Sequence, residues 1–254
     1  MYFSRIKQFL KRALSAAGID LTRNMYYDRL TARILKRLLH KHSNCIDVGS
    51  HQGEFIDRIL RLAPGGMHFA FEPIPAYYTE VNRRYGDRIR VYPYALSDKS
   101  GTASFCYVRN APSYSGLKKR KYAVEYPDIE EIDVEMRRLD QLIPPDLPVA
   151  FIKIDVEGAE YQVIRGGREL IKRSRPCIVF EFGLGGSNYY HATPRDMYEL
   201  LVEECGLKLS LLPAFLNGEA ALTLPGFESH YLKKNEYYFI AHPQNLPAGI
   251  GHGG

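Results

Sequence analysis

Short apolar runs alternate with stretches of helical periodicity through most of this chain. The pattern predicts an opening helical region to about His42, with Tyr26 to Leu39 as a helix, then strand 44–48, helix 54–62, strand 67–72, helix 76–85 and strand 89–95. Further on it predicts strand 149–154, helix 159–172, strand 177–182, helix 194–204 and strand 207–212. Such strand–helix alternation argues for a parallel sheet with right-handed crossovers. Thr102 to Val108 and Ile132 to Arg138 read as additional strands. The chain then ends hairpin-like, with Tyr231 and a strand from Glu236 to Ala241. Residues 109–130 break the pattern with Asn110, Pro112, Ser113, Gly116, Pro127 and a basic run. Long loops in compact domains are usually functional or mobile, and this one reads as an acceptor-side loop or lid, or else as a disordered surface insertion. Three parts result: a basic helical extension over 1–42, one α/β domain over 43–242, and a Gly-, Pro- and His-rich flexible tail over 243–254.

Chemistry enters where apolar strands end in polar residues. Cys45-Ile46-Asp47-Val48-Gly49-Ser50-His51-Gln52-Gly53 delivers an acid and two glycines just before a helix. A turn at the carboxyl end of a strand is where open α/β sheets bind nucleotides. The D-x-G-x-x-x-G spacing is not the dinucleotide fingerprint, and an acid inside the turn would repel a diphosphate. A cationic or neutral nucleoside such as S-adenosylmethionine suits it better. The next strand ends in Glu72-Pro73, about 20 residues on, where an acid is placed to accept hydrogen bonds from ribose hydroxyls. Val149 to Glu160 then carries three acids and Lys153 out of another buried-strand pattern, and ionisable residues there are paired or functional.

Over residues 27 to 241 the chain resembles the FkbM-type S-adenosylmethionine-dependent methyltransferases. The resemblance is carried by Asp47-Val48-Gly49-Ser50-His51-Gln52-Gly53, Phe71-Glu72-Pro73, Ala95-Leu96-Ser97-Asp98, Leu139-Asp140, the run Ile152-Lys153-Ile154-Asp155-Val156-Glu157-Gly158-Ala159-Glu160, and Phe180-Glu181. Ser50-His51 stands where the family more often shows a small residue and asparagine. The resemblance implies a Rossmann-like, seven-strand class I methyltransferase sheet flanked by helices. It also implies cofactor contacts from Asp47, Gly49, Ser50, His51, Gly53, Glu72, Pro73, Ala95, Leu96, Ser97, Asp155 and Glu157.

Methyl transfer is an in-line displacement, so alignment supplies much of the acceleration, and a base near an alcohol acceptor adds roughly 10²–10⁴-fold. Asp155, at the carboxyl end of its strand, is the first candidate for that base, Glu181 the second and His191 the third. Lys153 is expected to orient Asp155 or a substrate oxygen as an ion-paired ammonium. No residue spacing establishes a metal site. The acceptors implied are hydroxyls of sugars, glycolipids, polysaccharides or secondary metabolites; N-methylation and a catalytically silent cofactor-binding scaffold are the alternatives.

Composition alters the picture at one end. Net charge is +5, yet residues 1–42 hold ten Lys and Arg against Asp20 and Asp28, a balance of +8 that leaves −3 for the rest. Phe3, Ile6, Phe9, Leu10, Ala13, Leu14 and Ala17 recur at helical spacing between basic residues, which fits a helix packed on the domain, on a second subunit, or on anionic lipid. No uninterrupted apolar segment reads as a secretory signal or a span, and no nucleic-acid module accompanies the basic runs. Four dispersed cysteines read as reduced thiols. The expected location is cytoplasmic, with residues 1–17 a possible contact to the cytoplasmic membrane face or to another subunit.

Overall fold

The structure is a computed structural model that describes residue 20, residues 22–122 and residues 124–245. The expected amphipathic helix over 1–17 and most of the expected tail, residues 246–254, lie outside the described residues.

The sheet that positions the site has seven strands. In chain order these are β1 (Cys45–Val48), β2 (His68–Phe71), β3 (Arg90–Tyr92), β7 (Phe151–Ile154), β8 (Cys177–Glu181), β9 (Lys208–Leu211) and β10 (Tyr238–His242), arranged β3-β2-β1-β7-β8-β10-β9. β10 is antiparallel to both of its neighbours, and the other pairs are parallel. A smaller sheet holds β4 (Tyr94–Leu96), β5 (Gly101–Val108) and β6 (Ile129–Arg137) in the order β4-β6-β5.

Helices cover both faces, so the central strands read as continuous apolar runs rather than alternating ones. On one face, α1 (Arg23–Leu38), α2 (Glu54–Leu62) and α7 (Leu212–Asn217) pack over Cys45, Phe151, Cys177, Val179 and Ile240, and α2 and α3 (Pro75–Tyr85) pack over Ala70. On the other, α4 (Glu160–Gly166), α5 (Arg168–Ser174), α6 (Pro194–Tyr198) and α8 (Leu224–Lys233) enclose Ile46, Val48, Ile152, Ile154, Ile178 and Phe180. α1 is part of this core: Leu30, Ile34 and Leu35 are buried, and each such side chain contributes about 1.5–3 kcal/mol. Thr22 starts the helix by accepting the Met25 N–H at 3.2 Å.

Three local expectations change. The strand expected over 89–95 is two, because Pro93 has no N–H for the ladder; β3 stays in the main sheet and β4 joins the small one. The helix expected over 159–172 breaks at Gly167, with Gly166 lying so close to the Ser97 carbonyl that a Cβ would meet it at 2.0 Å. The hairpin-like end keeps its antiparallel pairing, β9 with β10, but the strands are connected by two helices rather than a turn. Pro213 and Pro225 sit in their first turns and Thr223 caps α8 by accepting the Gly226 N–H, signals of helix starts rather than of a tight turn. All four cysteines are buried and none forms a disulfide. Among the described residues no helix is long and apolar enough to cross a membrane.

Candidate active site

A cleft of about 270 Å³ opens at the carboxyl edge of β1, β2 and β7. Its position follows from topology: the first crossover leaves β1 to one side and the later ones leave β7 to the other, so the loops part between them. Asp47, Gly49, Ser50, His51, Glu72, Pro73, Ala95, Leu96, Lys153, Asp155 and Glu157 all line it.

The turn after β1 hangs from β2. Gly49 and Ser50 donate their N–H groups to the Phe71 carbonyl at 3.0 and 3.1 Å. Gly49 has φ +78°, and a Cβ there would stand 2.0 Å from the Asp155 carbonyl oxygen, so only glycine fits. Asp47 is fully buried, yet neither of its carboxylate oxygens has a hydrogen-bond partner among the described residues; Ser50 Oγ is in the same condition. Burial pushes the Asp47 carboxyl up to about 6, with the charge of Lys153, its register neighbour on β7, pulling the other way. Glu72 ties two turns together: Oε2 accepts the His51 N–H at 2.8 Å and Oε1 the Ile74 N–H at 3.0 Å. Burial lifts it to about 7 against those two bonds. Each oxygen retains a further acceptor position.

The turn after β7 is more crowded. Asp155 Oδ2 lies 3.1 Å from Lys153 Nζ and accepts the Tyr238 hydroxyl at 2.8 Å. Burial alone would raise this carboxyl, but Lys153 and Tyr238 outweigh it and hold it below the usual value. Burial would likewise lower Lys153, and the charges of Asp155 and Asp47 reverse that, so it stays an ammonium. Glu157, with φ +61°, is ion-paired with Arg120 of the 109–128 loop, a guanidinium only 7% exposed. Burial and the neighbouring Asp155 push Glu157 up to about 7, against the pull of Arg120. Glu160 accepts the Val156 and Gly158 N–H groups at 3.0 and 3.2 Å and so shapes the turn.

Other expected site residues stand apart from this lining. Gly53 precedes α2, where it packs on Tyr85. The Ser97 hydroxyl turns to Asp98 at 3.2 Å. Glu181 ends β8 opposite Tyr238, outside the cleft lining, and burial beside Asp155 and Glu157 raises it well above the usual carboxylate value. His191 is exposed after the 3-10 turn Ser187–Tyr190. The loop expected to face the acceptor does reach the cleft, through Pro112, Ser113, Ser115 and Leu117. It is fastened by Arg109 to Asp128 at 2.8 Å and by the Lys121 N–H to the Tyr189 hydroxyl at 3.0 Å.

Sequence reasoning missed one wall altogether. Asn24, Tyr27, Asp28 and Thr31 of α1, together with Tyr238, also line the cleft. The i, i+3, i+4, i+7 spacing of the first four was a visible helical stripe. Nothing in the sequence near Tyr238 marked it.

Comparison with known proteins places this geometry. Residues 47–209 match the family model described as the methyltransferase FkbM domain. The chain is 31% identical over 145 residues to the 2-O-methyltransferase NoeI of Sinorhizobium fredii (strain NBRC 101917 / NGR234), covering 51% of this chain and 59% of that protein. It is 27% identical over 152 residues to methyltransferase sdnD of Sordaria araneosa, covering 48% and 59% respectively. The matched segments thus span under two thirds of these curated relatives. The crystal structure of methyltransferase FkbM from Methylobacillus flagellatus KT superposes with a TM-score of 0.50 at 15% identity, over 82% of this chain and 48% of that one, a likeness of fold.

Proposed function

We propose that this chain, which belongs to the FkbM methyltransferase family, binds S-adenosylmethionine in its carboxyl-edge cleft and methylates a hydroxyl of a sugar, glycolipid, polysaccharide or secondary metabolite. The observation that carries the cofactor reading is Asp47. A fully buried carboxylate with two unpartnered oxygens is costly, and it fits a site where a positively charged ligand supplies the missing partner. The nearby Ser50 hydroxyl, without a hydrogen-bond partner among the described residues, adds a donor or acceptor.

When bound, the cofactor supplies a methyl group on a positively charged sulfur. The chain's own residues hold and orient. Glu72, with an open acceptor position on each oxygen, takes ribose hydroxyls, and Ile74, Ala95, Leu96 and Phe105 form an apolar slot suited to a purine. Asp155 accepts the hydrogen of the acceptor hydroxyl and takes up the proton it releases, while Lys153 holds the carboxylate in place. Glu181 and His191, outside the lining, are given no part in it. Support for oxygen as the acceptor atom comes from the relative whose name is a 2-O-methyltransferase. The four buried thiols, none in a disulfide, support a reducing, cytoplasmic setting.

The test is transfer of a labelled methyl group from S-adenosylmethionine to a panel of neutral glycosides and amino sugars, with products located by mass spectrometry. Methyl ethers are the expected products. Methylated amines with no ethers would replace the O-transfer reading with N-transfer, and a failure of the wild-type protein to bind the cofactor would end both.

A further inference from the structure

β10 is the strand that runs against the rest of the main sheet. It therefore begins at the edge where its neighbours end, and its first residue is delivered to the cleft. That residue is Tyr238, paired in register with Glu181, the last residue of β8. Its ring stacks on Tyr27 of α1 with centroids 4.9 Å apart, and the Tyr27 hydroxyl is itself tied to Glu236. Ring packing thus fixes the phenol without using its hydroxyl, which donates to Asp155 Oδ2 at 2.8 Å. Lys153 Nζ reaches the same oxygen at 3.1 Å, and Oδ1 takes no hydrogen bond among the described residues. Both α1 and β10 lie outside the segment that matches the family, residues 47–209.

We infer that Tyr238 is a positioning residue for methyl transfer: with Lys153 it fixes Oδ2 of Asp155, so that the carboxylate stays charged and oriented with Oδ1 as its free oxygen. This rests on the methyltransferase reading of the cleft. The setting gives the hydroxyl something to do, because the groups that face Asp155 are mostly acidic. Asp47 comes from β1, Asp28 from α1, Glu157 and Glu160 from the turn into α4, and Glu181 from β8. Lys153 is the cation in contact with Asp155; Arg120 is paired with Glu157 and Arg58 with Asp28, and His51 is held towards its neutral form by burial. A neutral donor aimed at the anion is the remaining support, and hydrogen bonds to charged groups are the strong ones.

The decisive readout is the ratio of affinities for S-adenosylmethionine and S-adenosylhomocysteine, followed by calorimetry across the acid-to-neutral range. The first ligand carries a sulfonium charge that the second lacks. Loss of negative charge on Asp155 therefore changes the ratio, whereas distortion of the cleft weakens both ligands together. Asp47, raised to about 6 and the proposed partner of the sulfonium, also loses its charge in this range, so the series is made in the Asp47→Asn background, where the ratio should hold into mildly acidic conditions. In Tyr238→Phe, which keeps the ring stack, it should begin to fall about one pH unit higher. Asp155→Asn should start from a reduced ratio and show no such fall. A carbon-13 titration of the Asp155 carboxyl in wild type and Tyr238→Phe should show the same displacement without ligand. A Tyr238→Phe ratio that follows the Asp47→Asn reference at every pH, or equal weakening of both ligands with no displacement, overturns the inference while leaving the cofactor reading intact. A wild-type protein that binds neither ligand overturns both.

Discussion

At the end of β1 the chain leaves the sheet through Asp47, whose two oxygens have no hydrogen-bond partner among the described residues. At the end of β7 it leaves through Asp155, whose Oδ2 has two. The two strands are adjacent and parallel, and their turns touch where Gly49 lies against the Asp155 carbonyl. Yet one turn is left electrostatically open and the other is braced by Lys153, Tyr238, Arg120 and the Glu160 cap. An acid left open in the interior leaves its oxygens available to a ligand, and an acid held by two donors keeps one orientation. In this account the β1 turn binds and the β7 turn acts.

The sharpest way to break that division is at the contact between the turns. Gly49→Ala places a Cβ 2.0 Å from a backbone oxygen at a positive φ, and should cost about 2–4 kcal/mol in denaturant unfolding. It should abolish measurable cofactor binding in whatever remains folded. Gly158→Ala meets the Gly186 backbone at 2.5 Å in the other turn. Its stability loss should be similar, with cofactor affinity of the folded protein far less affected. Equal binding losses in the two variants would erase the distinction.

Next in size is the pair Asp47→Asn and Asp155→Asn. The first should weaken S-adenosylmethionine about 10- to 100-fold, or about 1.4–2.8 kcal/mol by titration. The second should weaken it less and reduce turnover more.

Stability against pH should separate the same two acids by sign. The folded value of Asp47, about 6, lies above its ordinary one, so the native state holds the extra proton and stability falls as pH rises from the ordinary carboxylate value through 6. Asp47→Asn should therefore be more stable than wild type above pH 6, by about 1–3 kcal/mol, with the gap closing in acid. Asp155 is held below its ordinary value, so its contribution is present above that value and disappears as pH falls through the lower folded one. Asp155→Asn should lose stability at neutral pH, and thermal melts of both variants across pH read the two signs.

The smallest effect concerns the loop that leans on the β7 turn. Arg120→Ala leaves Glu157, already lifted to about 7, free to take up a proton in place of its partner. That limits the global cost to about 1 kcal/mol. Hydrogen exchange over 109–128 should quicken about tenfold while β1 and α2 stay protected.

The open turn was legible in the sequence and much of the braced one was not, for a physical reason. Asp47, Gly49 and Glu72 stand at fixed offsets within single strand–turn–helix units, so local spacing brings them to the cleft lining. The Lys153–Asp155 pair was also local. Tyr238 is 83 residues from Asp155 along the chain and meets it through the reversed direction of β10, which apolar periodicity does not encode. Arg120 looked like one charge in a solvated run, and its burial depends on Glu157 and the Gly185 carbonyl. Asp28 and Tyr27 were visible on a helix whose docking face the sequence left open. His191 stands in the polar loop after β8, where a solvent-exposed histidine is what the loop composition itself suggests, and it is exposed.

The central claim is that the cleft beside Asp47 and Glu72 is a cofactor site, and the most direct test is calorimetric titration of the full-length protein with S-adenosylmethionine, using NAD as control. Micromolar binding of the sulfonium ligand, no binding of NAD, and loss of the first in Glu72→Ala are the results predicted. Well-folded wild-type protein that binds NAD instead, or S-adenosylmethionine equally well with and without the Glu72 carboxylate, would contradict the account.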